Sequence, residues 1–511
     1  MGNIHWLNAL NLKQAVENIR VEIPGDWYQD PWGWPELGFM LQKQQDLVIE
    51  NLNASGVRAV ALLDVPKENW GTRPAVILDI ADRVSYHALS DNLSVKLIGS
   101  MSADTYGWRL PPIDPKPGIY SHNNKQWDGY RSHLNLLADL YPVALKTDLV
   151  SFFASIPVPL VQEAIQDRCQ KNAITRRLCD MIEGFGAIPD RSGLVQRSTA
   201  SSVLANMYVE PLDDVLKHHS TAIMVLAGSK VHHRSFVRWM DDIWLFGYEA
   251  AAMRRAQMDL QAVAQTLGLN LNYAKTEVLE GSDVAEQAKE IEHSAVDDAL
   301  LGDEPDFEPL EALIDKLLLQ PEKAGRTSLK FAATRMRKHD SRYRIKEIIA
   351  LAPRMPQAAD GWSRLFKGVF TNDSLQDWYL EYVASDWATH EWSVAHFGRM
   401  FPSATKPRKP LCDFFEESIR DANTGLPLLA VASQRLGAWD AGAARDAYRE
   451  GYRRSSTPHA RRVLALSALG AGETRTKVKS WLSTDRENAP TLAMLESYGW
   501  SGPKVQPDFA N

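Results

Sequence analysis

Charge placed inside apolar strands constrains this chain more than any other feature of its sequence. In residues 145–153 an apolar run leads into a single carboxylate, Asp148, followed closely by Phe152 and Phe153. In residues 236–246 two adjacent carboxylates, Asp241 and Asp242, interrupt a segment that otherwise reads as an apolar hairpin. Burying a carboxylate is costly unless it is paired or coordinates a cation, so the flanks point to a metal-binding site. Hard oxygen ligands suit Mg²⁺ or Mn²⁺ rather than zinc. A pair of such ions about 3.5–4 Å apart can activate an attacking hydroxyl and stabilise a leaving pyrophosphate in phosphoryl transfer. An isolated Asp-Asp pair is more often a plain turn between strands, so the surrounding segments must decide.

The rest of the composition is that of an ordinary folded protein. The chain has 511 residues, 45% of them apolar and 24% charged, a length that gives a prior of roughly two to four domains. A net charge of −7 argues against a protein that coats nucleic acid with its whole surface and leaves room for one focal basic groove. Cys169, Cys179 and Cys412 form no Cys-x-x-Cys pair; they read as buried thiols in a reducing compartment, with no cysteine zinc site. The first residues lack a cationic stretch followed by an apolar run, and the most apolar stretches, 221–228 and 426–432, fall short of the ~20 residues a bilayer requires. The expectation is a cytoplasmic protein with no membrane association.

Along the chain, residues 1–60 read as an N-terminal extension holding a turn-rich aromatic patch at 26–35, in which Pro and Gly forbid a continuous helix. That patch reads as a lid packed on a neighbouring domain. Residues 61–285 alternate β-rich runs (57–63 at the boundary, then 76–80, 143–149 and 236–246) with helical segments at 160–181 and 198–216, the pattern of an α+β domain with a partly antiparallel sheet. Residues 286–308 form an acidic connection. Residues 309–511 read as all-helical: Leu310, Leu313, Ile314, Leu317 and Leu318 follow the i, i+3, i+4, i+7, i+8 stripe. Thr457 before Pro458 reads as an N-cap, with Gly470 closing that helix. The recurring helical lengths suggest stacked pairs of an α-helical repeat, HEAT-like in kind.

The ordered set of segments around the aspartates resembles the reverse transcriptase family. Asp148 with Phe152 and Phe153 looks like the family's first catalytic block, and residues 193–206, beginning Gly193-Leu194-Val195-Gln196-Arg197, look like its glycine-glutamine block leading into a helix. Trp239-Met240-Asp241-Asp242 looks like the double-aspartate block with Trp where Tyr is usual, and Gly268 to Thr276 is similar to the lysine block. Upstream, Val65-Pro66-Lys67, Arg73-Pro74 and residues 82–89 resemble the fingers of bacterial reverse transcriptases. The resemblance implies a right-hand polymerase fingers and palm over 61–285. It implies Asp148, Asp241 and Asp242 as ligands of Mg²⁺ or Mn²⁺ and as catalytic residues, and dNTPs as substrates. Phe153 would exclude a 2′-hydroxyl, Lys67, Arg73 and Gln196 would contact the nucleotide, and Lys275 would donate a proton to the leaving pyrophosphate.

One block departs from the family. Members usually read Leu-Pro-Gln-Gly where this chain has Leu194-Val195-Gln196-Arg197; a side chain as long as Arg197 would protrude toward a templating strand or recruit a phosphate. With the long helical tail, this resembles the abortive-infection (Abi) phage-defence group that includes AbiK and the P2-prophage Abi protein. That resemblance implies template-independent, protein-primed DNA synthesis, a single-stranded product covalently attached to the chain, and assembly into a homo-oligomer, a trimer or hexamer. A primer needs an exposed tyrosine near the metals, for which Tyr28 in the aromatic turn is the candidate. The competing readings are a conventional RNA-templated polymerase and a non-catalytic scaffold that senses nucleic acid or a phage protein.

Overall fold

Runs of β-branched and aromatic residues build the strands of this protein, and the computed structural model describes residues 4–43, 45–223, 233–301 and 305–510. Two compact units are interleaved along the chain: Met1–Gly25, Val48–Val57 and Asp82–Ala295 form a sheet unit, and Asp26–Leu47, Arg58–Ala81 and Val296–Asn511 form a helical unit. The four segments read from sequence describe order along the chain; the two units describe packing.

Nine strands are present among the described residues: β1 (Val60–Pro66), β2 (Thr72–Leu78), β3 (Thr105–Tyr106), β4 (Val143–Thr147), β5 (Ala222–Ile223), β6 (His233–Arg234), β7 (Phe236–Trp239), β8 (Asp242–Gly247) and β9 (Glu277–Glu280). The sheet unit is centred on five of them in the order β3-β7-β8-β4-β9, antiparallel except for the β3–β7 pair. Successive strand residues point to opposite faces. Val237, Trp244, Phe246, Ala144 and Leu279 pack with Tyr130, Leu134 and Leu137 of the helix Asn123–Leu140. Leu145, Ile243 and Leu245 point the other way, and the helix Ala250–Thr266 packs on β4, β8 and β9. Strands covered on both faces read as unbroken apolar runs, which is why 236–246 looks so apolar around its two aspartates.

Local chemistry moves several boundaries expected from sequence. The run 57–63 overlaps β1, which starts only at Val60, and 76–80 overlaps the end of β2, which stops at Leu78 before the helix Ile80–Ile98; β1 and β2 form an antiparallel hairpin in the helical unit. The stretch 160–181 is two helices, Val158–Cys169 and Ala173–Gly186. Gln170 breaks them at φ +61, and the Asn172 side chain caps the second by accepting from the Thr175 amide at 3.0 Å. Likewise 198–216 divides into Thr199–Tyr208 and Glu210–His219, with Pro211 in the first turn of the second, where its missing N–H costs nothing. Cys169 and Cys179 are buried thiols as expected, whereas Cys412 is only half-buried.

In the helical unit, Leu310, Leu313, Ile314, Leu317 and Leu318 are all buried on the helix Glu308–Leu319, and Thr457 accepts from the Ala460 amide at 3.2 Å to cap Pro458–Gly470. Lys409–Arg420 packs on Leu426–Trp439 and Ala441–Arg454, and Leu426–Trp439 packs in turn on Pro458–Gly470, so helices meet both their next neighbour and the one beyond. The aromatic turn is core here: Trp27, Tyr28, Trp32 and Trp34 are buried, and the Trp392 indole donates to the Trp27 carbonyl at 3.0 Å. No helix among the described residues is long and apolar enough to cross a membrane. Residues 224–232, which include most of the apolar run 221–228, and 302–304 of the acidic connection lie outside the described residues.

Candidate active site

Strand register brings the aspartates together. In the β4–β8 ladder Thr147 faces Ile243, so the next residues, Asp148 and Asp242, stand opposite each other at the end of the two strands. In the β7–β8 hairpin Trp239 pairs with Asp242, leaving Met240 and Asp241 as the two-residue turn. Met240 sits at φ +56, a left-handed conformation that costs a residue with a Cβ about 1–2 kcal/mol. The surroundings hold it there. Arg238, fully buried, donates from Nη1 to the Met240 carbonyl at 2.8 Å and from Nε and Nη2 to the Asp213 carboxylate at 2.6 and 2.8 Å. Arg238 Nη1 also reaches Asn206 Oδ1 at 3.1 Å. Two helices thus brace the turn through one guanidinium, a role that the sequence reading missed although Arg238 is itself a charge inside an apolar strand. Trp239 is enclosed by Trp108, Trp127 and Tyr130, with ring centroids 5.0–6.1 Å away.

The lysine block lies along the other side. The Val150 amide donates to the Asn270 carbonyl at 2.9 Å and the Asn272 amide to the Asp148 carbonyl at 2.8 Å. This strap carries Lys275, whose Nζ donates to Asp148 Oδ2 at 3.1 Å. The remaining oxygen, Asp148 Oδ1, is buried with no hydrogen-bond partner, a costly state for a carboxylate unless a cation completes it. Desolvation, then the charge of Asp242 and more weakly that of Asp148, pushes Asp241 up to about 7. Desolvation and the charge of Asp148 push Asp242 up to about 6, although its side chain reaches solvent. Asp241 and Asp242, both held back from ionising, stand beside an Asp148 with an orphaned oxygen, and together the three fit a divalent cation. Asp148, Asp241 and Asp242 are the residues that would hold it.

The sign of this repulsion is testable in metal-free protein. A carboxyl whose folded pKa is raised binds its proton more tightly when folded, so stability falls as pH climbs from about 4 toward 7. Asp241→Asn is therefore expected to raise Tm at pH 8 by an amount equivalent to roughly 1–2 kcal/mol after allowance for solvent screening. The gain should shrink toward zero as the pH drops to about 4. Calorimetry in a chelating buffer reads both values, and a gain that does not depend on pH would refute the repulsion.

Around this centre the structure places the other expected residues unevenly. Phe153 is half-buried, following Ser151 at φ +47, and its carbonyl accepts from the Leu194 amide at 2.8 Å. Gly193 permits that contact: at φ +72, a Cβ there would lie 2.0 Å from the Phe153 carbonyl oxygen. The glycine-glutamine block is thereby docked on the first catalytic block. Gln196 is half-buried, and Arg197 is exposed at φ +60, so arginine occupies a left-handed position that glycine fills without strain. The following helix is anchored by Tyr86 and Ser201 hydroxyls 2.9 Å apart and by Glu22, which accepts from the Thr199 amide. Burial works to raise Glu22, but His87 and Arg83 hold its carboxyl down to about 2.

Lys67 and Arg73 lie in the helical unit on the β1–β2 hairpin, with the Arg73 guanidinium 5.4 Å from the Trp27 ring centre. Tyr28 also belongs to that unit. It is 4% exposed, edge-on to Trp34 at 6.1 Å, and its hydroxyl has no hydrogen-bond partner; it is a packed aromatic rather than an accessible nucleophile.

Residues 65–297 match the model of the reverse transcriptase (RNA-dependent DNA polymerase) family, a span that contains Asp148, Asp241, Asp242 and Lys275. No curated protein matches the chain. Carboxylates converging at the ends of paired strands, a lysine bonded to one of them, and the family match over the same residues lead to one conclusion. This chain carries a reverse transcriptase domain and is, by that domain, a nucleotidyltransferase of the DNA polymerase type.

Proposed function

We propose that this protein is a bacterial anti-phage, abortive-infection polymerase that adds dNTPs without a template and starts from one of its own side chains. The observation that carries this reading is Arg197. The loop keeps the left-handed backbone of a glycine position at φ +60 yet fills it with an exposed arginine, a side chain that would take space through which a template approaches and meet a phosphate instead. When bound, Mg²⁺ or Mn²⁺ at Asp148, Asp241 and Asp242 supplies the positive charge that a two-metal nucleotidyl transfer needs. Lys275 holds a proton 3.1 Å from Asp148 Oδ2, within reach of a group that must protonate as it departs. Phe153 selects deoxynucleotides sterically. Lys67 and Arg73 neutralise the triphosphate, and Gln196 contacts the nucleotide beside Arg197. The helical unit, HEAT-like in organisation, mediates assembly into a trimer or hexamer in the cytoplasm.

The primer must be a hydroxyl that can reach the carboxylates. Tyr28 would have to leave its packed place to serve. Among the described tyrosines of the sheet unit, Tyr248 and Tyr273 are exposed, and Tyr273, at 64%, lies two residues before Lys275 on the strap beside Asp148. The test is to incubate purified protein with labelled dNTPs and Mg²⁺, with neither template nor primer, and to run a denaturing gel. Label that migrates with the protein and maps to one tyrosyl peptide is the expected result. Incorporation that requires added template and primer would replace this reading with a conventional reverse transcriptase, and none under either condition would favour a scaffold.

A further inference from the structure

A second cluster of potential ligands lies in the sheet unit and is made of residues other than the polymerase carboxylates. Asp104 immediately precedes β3, His133 is on the helix Asn123–Leu140, and His233 opens β6. All three are buried, and one potential ligand atom from each lies within 4.8 Å of the other two. The two imidazole rings stand 4.4 Å apart, centre to centre. Asp104 Oδ1 accepts from His233 Nδ1 at 2.9 Å and from the Arg234 amide at 3.1 Å, and Asp104 Oδ2 accepts from the Ser102 hydroxyl at 3.0 Å.

His133 supplies the decisive observation. Its Nδ1 is 3.2 Å from the Tyr106 hydroxyl, while Nε2 is buried and makes no well-formed hydrogen bond, although the Arg234 backbone lies close to the ring. A histidine that bonds through one nitrogen and leaves the other without a well-formed bond is in the state of a metal ligand, whose second nitrogen is fixed by an outer partner. As a purely hydrogen-bonded network this arrangement wastes a buried nitrogen; as a ligand set it uses every group. Two imidazoles and one carboxylate, with no cysteine, match the donor types that hold zinc with a water in the fourth position. Ligand atoms about 2.0–2.1 Å from a tetrahedral zinc stand about 3.3 Å from one another; these atoms lie within 4.8 Å, one pair at 2.9 Å, so small side-chain shifts would seat the ion.

We propose that Asp104, His133 and His233 form a Zn²⁺ site separate from the polymerase carboxylates. The ion pins the edge of the sheet to the helix beneath it. The Arg238 amide donates to the Asp104 carbonyl at 3.0 Å, so the residue before β3 is tied both to the proposed ion and to the strand that leads into the Met240–Asp241 turn. With three protein ligands the shell is completed by a water rather than closed by the protein, and metal content reads the site without depending on nucleotide addition.

The test uses untagged, full-length protein stripped with chelator, reloaded with Zn²⁺ and analysed for metal. About one tightly held Zn²⁺ per chain is expected, with Tm rising by roughly 5 °C at ligand excess. Uptake should fall to background in His133→Gln and persist in Asp148→Asn/Asp241→Asn. Equal uptake by His133→Gln and wild type would overturn the proposal, as would loss confined to the aspartate double variant, which would put the ion on the polymerase carboxylates. Should His133→Gln fail to fold, X-ray absorption of zinc-loaded wild type decides: nitrogen and oxygen neighbours at about 2.0 Å with two imidazoles' scattering support the site. Absence of imidazole scattering sinks it, whether or not the polymerase reading survives.

Discussion

Asp148→Asn is expected to reduce nucleotide incorporation by about 10³-fold or more, in whichever of the templated or self-primed assays the wild type is active. The substitution preserves shape and removes one negative charge. It leaves an amide where the buried, unpartnered Oδ1 would meet a cation, and it weakens the bond from Lys275 to Oδ2. An amide oxygen is a far poorer ligand for a hard divalent ion than a carboxylate. The fold should be intact, because β4 and β8 are held by their ladder and the flanking helices rather than by this charge. Single-turnover incorporation of labelled dNTP, read beside a thermal melt, separates the two effects. Activity within tenfold of wild type in a folded variant would remove Asp148 from the catalytic set.

The largest expected loss of stability is in the helical unit. Arg462→Met should cost about 5 kcal/mol or more, equivalent to a Tm drop of roughly 10–20 °C or loss of soluble protein. Arg462 donates to Glu36 from Nε at 2.8 Å and Nη2 at 2.9 Å, and from Nη1 to Asp30 at 2.6 Å. Its guanidinium lies 4.6 Å from the Trp34 ring centre and 5.5 Å from that of Trp32. Glu36 also accepts from the Thr491 hydroxyl at 2.7 Å, and Asp30 from the Trp32 and Trp34 amides. All three charged side chains are buried. Burial works to raise Glu36, and the Arg462 charge outweighs it, holding the carboxyl below its ordinary value. Removing the cation leaves two buried carboxylates with no counter-charge from it. Adding Asp30→Asn and Glu36→Gln to Arg462→Met should recover most of the loss, since neutral partners no longer need that charge. A triple variant no more stable than the single one would show that packing, and not charge, sets the cost.

The aspartates were legible because a carboxylate in an apolar run is conspicuous along the chain, whereas Gly193 and Lys275 came only from the block order of the family resemblance. Arg238 escaped although it obeys the same rule: its partners, Asp213 and Asn206, sit on helices whose approach to β7 no local pattern reveals. Asp104, His133 and His233 escaped for a stronger reason, since each is unremarkable in its own segment and about 130 residues separate the first from the last. The aromatic turn packs, as its composition suggested, because the aromatic area it buries outweighs the turn propensity of its Pro and Gly, and this withdraws Tyr28 from the priming role for which it was the candidate.

Period, capping and patterning determined on their own that this chain has an α+β part with paired carboxylates and a helical part with a buried leucine stripe, because such signals act between residues close in sequence. Which helix braces the Met240–Asp241 turn, which unit holds the β1–β2 hairpin, and which histidines meet were decided only by tertiary packing. Contacts between distant segments form when buried area and satisfied charge repay the entropy of bringing them together, and that balance has no signature in any single stretch of chain.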